Sequence, residues 1–128
     1  MSNVIQAYVF PRKFNGMFLP TFIQSQVIRS FVNVKKKIYG LHQSEFNFDN
    51  AYHVLYQVLK KKVDIAMCSC SMLPNDYKKL KEIIEIKHKN KKNFYFIFEK
   101  LEFTSDQKLE DKLFKLQILK NLNRMVLY

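Results

Sequence analysis

Four apolar segments alternate with four segments of helical periodicity along this 128-residue chain. The apolar segments span residues 4–10, 38–41, 63–69 and 93–99. After each of them, apolar residues recur every three or four positions, the spacing of one helix face. Segment 63–69 is almost continuously apolar, which is typical of a parallel strand buried on both faces. The alternation predicts an α/β fold, because parallel strands are joined by crossover helices.

We expect a three-layer α/β domain of flavodoxin/resolvase-like architecture. Its mostly parallel four-stranded sheet should have the order 2-1-3-4, with helices on both faces. Residues 1–128 should form one domain, since the length is ordinary for a single core and no linker or repeat interrupts it. Residues 124–128 are either a short strand or a tail. The first helix should follow Pro20 and bury the apolar residues Phe22, Ile23, Val27, Phe31 and Val34. Helix caps are predicted at Asp49, at Asn75 or Asp76, and at Asp106.

Polar side chains stand at or just after the carboxyl end of every predicted strand. These residues are Asn15, Ser44, Glu45, Ser69 and Glu99. In open α/β sheets the loops at the carboxyl ends of the strands converge on one crevice, where ligands bind. We therefore expect one shared site about 10 Å across, with Arg12 at its rim and Glu99 as its least exposed member.

Two glutamates are the candidate catalytic residues. Glu45 and Glu99 could move a proton as paired carboxylates, provided that the sheet brings their strand ends together. Glu99 ends a strongly apolar strand, where a carboxylate is costly to bury without a partner. A structural salt bridge from Glu99 to Arg12 or Arg29 is the alternative.

The candidate ligand-binding groups are Arg12, Asn15, Ser44, Ser69 and Arg29. Arg12 suits a phosphate or carboxylate on a sugar, and Asn15 suits a sugar hydroxyl. Structural alternatives remain for three of them. Asn15 could hold a turn, Ser69 could cap the helix that follows Pro74, and Arg29 could face solvent.

The net charge of +11 invites a nucleic-acid interpretation. Only three of the 22 basic residues are arginines, the side chain favoured for bidentate phosphate and base contacts. The lysines cluster at predicted helix ends, so we interpret them as solvated faces and expect no specific nucleic-acid partner. We expect no cofactor and no metal, because the chain has no glycine-rich phosphate loop and its three histidines are dispersed. Cys68 and Cys70 are expected to be reduced, buried fillers.

Four motifs resemble those of a bacterial family. They are Phe14-Asn15-Gly16 with Pro20, Gln24, Gln26 and Ile28-Arg29; Ser44-Glu45-Phe46 with Asn50, Tyr52 and Leu55; Ser69 with Met72-Leu73-Pro74; and Phe96, Glu99 and Leu101. Together they are similar to the sporadic carbohydrate cluster proteins, across nearly the whole chain. Cys68 departs from the family pattern, where an aromatic residue is usual, and so does Lys100, where glycine is usual. The resemblance implies a small protein of surface-polysaccharide (O-antigen or capsule) biosynthesis that acts on or binds a sugar or nucleotide-sugar intermediate.

The layout also resembles the catalytic domain of serine recombinases. Loop 11–19 has no serine to act as nucleophile, and no arginine directly follows Ser69, so the likeness stops at architecture. Two alternatives to the sugar hypothesis stay open: a non-catalytic docking or regulatory module for a glycan enzyme, and a degenerate recombinase-like nucleic-acid binder. No apolar stretch approaches 18 residues and no signal peptide is evident, so we expect a cytoplasmic protein without membrane insertion. A homo-oligomer is left open.

Overall fold

The structure, a computed structural model, describes residues 3–14 and 16–126, and of residues 122–126 it describes the backbone alone. The strands are β1 (Val4–Val9), β2 (Ile38–Ser44), β3 (Asp64–Met67), β4 (Phe94–Phe96) and β5 (Leu101–Phe103). The helices are α1 (Thr21–Val34), α2 (His53–Leu59), α3 (Tyr77–Lys89) and α4 (Leu109–Val126). A single 3-10 turn, Cys70–Met72, follows β3.

The sheet has the order β2-β1-β3-β4-β5. Its first four strands are mutually parallel, which confirms the predicted order 2-1-3-4. The expectation of four strands is wrong in one respect, because β5 pairs antiparallel with β4 and makes a five-stranded mixed sheet. The predicted strand 93–99 ends early: the chain turns after Phe96, with Lys100 in a left-handed conformation (φ 52°) and its N–H donated to the carbonyl of Ile97. Three-residue strands on either side of a tight turn leave little alternation to detect.

The core lies on both faces of the central strands. Ile65, Ala66 and Met67 of β3 are fully buried, as the continuous apolar run predicts. At the β4 end, the rings of Phe94 and Phe96 stack at 5.4 Å, and Phe103 of β5 meets Phe96 edge-on at 5.7 Å. These aromatic contacts hold the short antiparallel hairpin on the sheet.

Helix α1 buries a face that overlaps the predicted one only in part. Its fully buried residues are Gln24, Ile28 and Val32. Of the predicted residues, Val27 and Phe31 are partly buried against the core, whereas Phe22 and Val34 are exposed. The three buried residues are spaced four apart and form one face of the helix. The prediction missed the centre of the buried face, because that face begins with a polar glutamine, which apolar periodicity does not assign to a core.

Two of the predicted caps are wrong. Asp76 caps α3 by accepting the N–H of Lys78 at 3.0 Å, as expected. Asp49 is exposed and does not cap α2, which begins after Tyr52. Asp106 accepts the hydroxyl of Thr104, three residues before α4 begins. Residues 124–126 belong to α4 and not to a strand, and residues 127–128 lie outside the described residues.

Candidate functional site at the carboxyl edge of the sheet

An open crevice of about 700 Å³ lies at the carboxyl ends of β2, β1 and β3. The loop after β1 contributes Arg12, Lys13 and Phe18, and the loop after β3 contributes Asn75. The loop after β2 contributes three polar residues and one aromatic residue, namely Asn47, Asp49, Asn50 and Tyr52. The chain order along the sheet reverses between β1 and β3, and open α/β sheets bind ligands at such switch points. The crevice is therefore where the topology predicts a ligand site.

Arg12 holds two crevice loops together. Its guanidinium donates to the carbonyl of Phe48 and, at 2.7 Å, to that of Ala51. It also lies over the rings of Phe10, at 4.1 Å, and Tyr52, at 5.2 Å. Arg12 lines this crevice, and its hydrogen bonds fix the shape of the β2–α2 loop.

Glu45 is buried, with a residue exposure of 3%. One carboxylate oxygen, Oε1, accepts the hydroxyl of Tyr8 at 2.8 Å and the N–H of Leu55 at 3.0 Å. The other oxygen accepts the N–H groups of Phe46, at 3.1 Å, and Val54, at 3.0 Å. Glu45 thus satisfies N–H groups in the first turn of α2, the task predicted for Asp49. Burial and the Glu45 charge raise the pKa of Tyr8 far above its usual value.

Glu99 and Ser69 form a second polar link, between β3 and the β4–β5 turn. Ser69 donates its hydroxyl to Glu99 Oε2 at 2.7 Å and accepts the N–H of Ser71 at 3.1 Å. Glu99 Oε1 accepts the N–H of Cys70 at 3.0 Å. Ser69 therefore caps the 3-10 turn before Pro74, not the helix after it. Ser71 lines the crevice. Ser69 therefore connects Glu99 to this wall through two hydrogen bonds.

The structure does not bring the two glutamates together. They follow β2 and β4, three strand spacings of about 4.8 Å apart, or about 14 Å. The expectation that Glu99 is the least exposed candidate is wrong, since Glu99 is half-buried and both Glu45 and Ser69 are buried. The lining residues of the crevice include Arg12 but not Glu45, Ser69 or Glu99. Their catalytic and binding roles stay predictions.

The remaining candidates lie elsewhere. Arg29 is exposed on α1, with its guanidinium 4.0 Å from the ring centre of Tyr39 on β2. Ser44 is exposed at the end of β2, and its hydroxyl donates to the carbonyl of Glu45 at 3.4 Å. Asn15 lies outside the described residues. Arg29 is thus on the outer face of a helix, as its solvent-facing alternative proposed.

Gln24 is a positioning residue that sequence reasoning gave no role. Fully buried on α1, it accepts the N–H of Phe10 at 2.9 Å through Oε1. Its Nε2 donates to the carbonyls of Phe10, at 2.6 Å, and Leu19, at 2.7 Å. The amide therefore continues the hydrogen-bond pattern of β1 and fixes the loop that carries Arg12. Its four-residue spacing from Ile28 was the available signal.

Three lysines are buried, against the expectation of solvated lysine faces. Lys87 donates to the carbonyls of Lys61, at 2.8 Å, and Val63, at 2.9 Å, and burial lowers its pKa to about 8. Lys120 donates to the carbonyl of Leu73 at 2.8 Å. Lys112 lies 3.0 Å from His88 Nδ1, and burial lowers its pKa. Each ammonium joins a helix to a neighbouring segment.

The two cysteines are free and buried, as predicted. Burial raises the pKa of each thiol to about 12, and the nearby charge of Glu99 adds to the effect. Within residues 3–14 and 16–126 no group of histidine, cysteine and acidic side chains could hold a metal ion. None of the described helices is long and apolar enough to cross a membrane.

A second cavity, of about 780 Å³, lies on the outer surface of α3 near the start of α4. Charged side chains of α3, such as Lys81 and Glu85, form much of its rim. No strand end opens into it, so it lacks the loop convergence that marks ligand sites in this fold. The carboxyl-edge crevice remains the candidate site.

Comparison with known proteins gives a structural neighbour and no sequence relative. No family model and no curated protein matches the chain. The chain is similar in structure to the N-terminal catalytic domain of TP901-1 integrase, with a TM-score of 0.69 and 12% identity over 98% of this chain and 99% of that one. A likeness at this identity concerns the fold alone. The chain therefore has an α/β fold like that of a recombinase catalytic domain.

Proposed function

We propose that the protein binds a sugar or nucleotide-sugar intermediate of surface-polysaccharide biosynthesis in the carboxyl-edge crevice. The observation that carries this proposal is the crevice itself, which lies at the switch point of the sheet and has polar and aromatic walls. The family resemblance of the four sequence motifs supplies the biological context.

The crevice offers the groups that a charged sugar needs. The amides of Asn47, Asn50 and Asn75 can donate to and accept from sugar hydroxyls. The Lys13 ammonium suits a phosphate or carboxylate, and the exposed ring of Phe18 offers a flat apolar surface. Arg12 contributes indirectly, since its guanidinium donates to the carbonyls of Phe48 and Ala51 and so holds the backbone of this loop in place.

Proton transfer is the finer part of the proposal, and Glu99 is the better candidate for it. Glu45 has two hydrogen bonds on each oxygen, all from groups that build the β2–α2 connection. Glu99 is half-buried and is linked through Ser69 to Ser71 at the crevice wall. We therefore assign Glu45 a structural role and keep Glu99 as the candidate acid or base.

Isothermal titration calorimetry with a panel of free sugars and uridine diphosphate sugars tests the proposal. Lys13→Gln and Asn75→Ala should each weaken binding about tenfold, the effect of one hydrogen bond to a charged or polar ligand group. Lys79→Gln and Asn33→Ala remove the same chemistry from exposed positions outside the crevice and should bind as the parent does. Equal losses in both pairs, or no binding across the panel, would contradict the proposal.

A docking module for a glycan enzyme is a second candidate, favoured by one exposed aromatic cluster. Phe46 and Phe48 stack with ring centres 6.0 Å apart and planes 8° from parallel, and His53 packs against both. Both phenylalanines are more than half exposed. Such a patch is typical of protein contacts. If docking is the function, Phe46→Ser with Phe48→Ser should abolish complex formation with a partner enzyme of the same pathway and leave sugar binding unchanged.

We do not propose recombination chemistry. Loop 11–19 has no serine, and residues 70–76 have no arginine to stabilise phosphate charge. Absence of a specific nucleic-acid partner stays a prediction. Any DNA binding should be independent of sequence and should weaken steeply with salt, and a salt-resistant, sequence-selective complex would overturn this.

A further inference from the structure

Three lysine-rich loops meet at the amino edge of the sheet. They comprise residues 35–37 before β2, 60–62 before β3 and 89–92 before β4, and together they contain nine lysines. Each segment lies at the C-terminal end of a helix and leads into a parallel strand, and the third includes Lys89, the last residue of α3. All three therefore lie on one side of the molecule, opposite the crevice. The fold thus brings lysines that are far apart in the sequence to one edge of the sheet.

The three loops are close together and held in place. The strands that they enter span about 14 Å, three spacings of about 4.8 Å. Lys87 donates to the carbonyl of Lys61, and the amide of Asn90 donates to the carbonyl of Leu59 at 3.4 Å, which joins the second loop to the third. These bonds hold the second and third loops together, and we call the three loops the lysine edge.

Two of these lysines occupy backbone positions that favour glycine. Lys36 and Lys91 both have φ of 57° and each directly follows the C-cap residue of its helix, α1 or α3. In each case a six-residue hydrogen bond closes the helix end, as from the N–H of Lys37 to the carbonyl of Val32 at 3.1 Å. Glycine is the usual residue at this position of such a motif. The chain thus carries a positive charge at two positions where the left-handed backbone conformation favours glycine.

Exposed aliphatic side chains stand on both sides of the first lysine loop. Val34 is 81% exposed and Ile38 is 60% exposed. The three loops contain no arginine and no aromatic residue, the side chains that contact bases and phosphates best. Lysines beside exposed aliphatic groups instead fit the boundary between lipid headgroups and acyl chains.

Acidic groups offset part of the charge at this edge. Glu102 pairs with Lys35 at 3.0 Å, and Asp64 accepts the N–H of Asn93 at 2.8 Å. The first turn of α4 adds Glu110 and Asp111 near the end of α3, and Asp106 lies in the loop that leads from β5 into α4. Nine lysines on the three loops still exceed these five carboxylates.

We propose that the lysine edge adsorbs the protein to an anionic phospholipid surface. The lysines contact the headgroups, and Val34 and Ile38 enter the interface without spanning the bilayer. Because β1 has six residues, the crevice lies about 20 Å away at the other end of the sheet and stays open to solvent. The proposal does not depend on the identity of the crevice ligand.

Vesicle co-sedimentation of the full chain tests this proposal. We expect binding to vesicles of phosphatidylcholine mixed with phosphatidylglycerol, and none to phosphatidylcholine alone. Lys36→Gly with Lys91→Gly removes two charges at positions that accept glycine, and should weaken binding about 30-fold, or about fivefold per lysine. Lys78→Gln with Lys79→Gln removes the same charge at the opposite end of α3 and should bind nearly as the parent does.

Two further results distinguish a lipid partner from other polyanions. Val34→Thr with Ile38→Thr keeps the charge and the branched side chains, and should weaken vesicle binding while leaving any binding to duplex DNA unchanged. Equal losses for the two lysine pairs would show that net charge, not this edge, is responsible and would overturn the proposal. Tighter binding to duplex DNA than to anionic vesicles at the same salt would replace the lipid partner with a nucleic acid.

Discussion

Glu45→Gln should destabilise the protein strongly, because Glu45 holds the first turn of α2. The glutamine amide can place its oxygen where Oε2 now accepts the N–H groups of Phe46 and Val54. Its NH2 group then faces Tyr8, whose hydroxyl can rotate to accept, and the N–H of Leu55, which cannot.

The cost follows from these contacts. The Leu55 N–H loses its acceptor in a buried site, which costs about 1–3 kcal/mol. The N–H groups of Phe46 and Val54 exchange a charged acceptor for a neutral one, at about 1 kcal/mol each. The free energy of unfolding should therefore fall by about 3–5 kcal/mol. Tyr8→Phe, which removes one hydrogen bond to the carboxylate, should cost about 1.5–3 kcal/mol.

Urea unfolding followed by circular dichroism measures these differences. Asp49→Asn is the matched control, since Asp49 is an exposed acid in the same loop and should change stability by less than about 0.5 kcal/mol. A loss below about 1 kcal/mol for Glu45→Gln would refute the structural role of Glu45 and return it to the candidates for proton transfer.

Three further outcomes are expected. Lys36→Gly and Lys91→Gly should each raise the free energy of unfolding by about 0.5–1 kcal/mol in urea titrations, because φ of 57° favours glycine. The folded pKa of Lys87, about 8, is below its unfolded value near 10.5, so the folded state loses this proton first. The free energy of unfolding should therefore rise from pH 8 to 9.5 by about 1.5 kcal/mol relative to Lys87→Met, and equal pH profiles would contradict this. Cys68 and Cys70, whose thiol pKa values are raised to about 12, should react with a thiol reagent only after unfolding, and rapid labelling of the native protein would contradict their burial.

The sheet order could be predicted because it follows from alternation and handedness, which apolar periodicity reports directly. Strand β5 could not, since three residues after a tight turn carry no measurable period. The face of α1 was predicted only in part. Gln24 is buried through three hydrogen bonds to backbone groups, and composition alone cannot reveal such partners. Hydrophobic periodicity does not predict which polar side chains are buried.

The edge of the sheet at which a site was predicted does carry a crevice, but few of the predicted residues line it. Arg12 is a lining residue, whereas Glu45, Ser69 and Glu99 are not. Glu45 and Glu99 share the edge but are separated by two intervening strands, β1 and β3, and sequence order does not reveal this lateral distance. The amides that line the crevice follow the strands by several residues, where asparagine is an ordinary turn or cap residue. Asn75, for example, was predicted only as a possible helix cap.

Amide chemical-shift mapping of the 15N-labelled protein with a uridine diphosphate sugar tests whether the carboxyl-edge crevice is the ligand site. The largest shifts should fall on the residues that surround the crevice, namely Lys13, Asn47, Asn50 and Asn75. No comparable shifts should occur along α3, where the second cavity lies. Shifts confined to α3 and the start of α4, or none with any sugar tested at millimolar concentration, would contradict the assignment of the crevice as the ligand site.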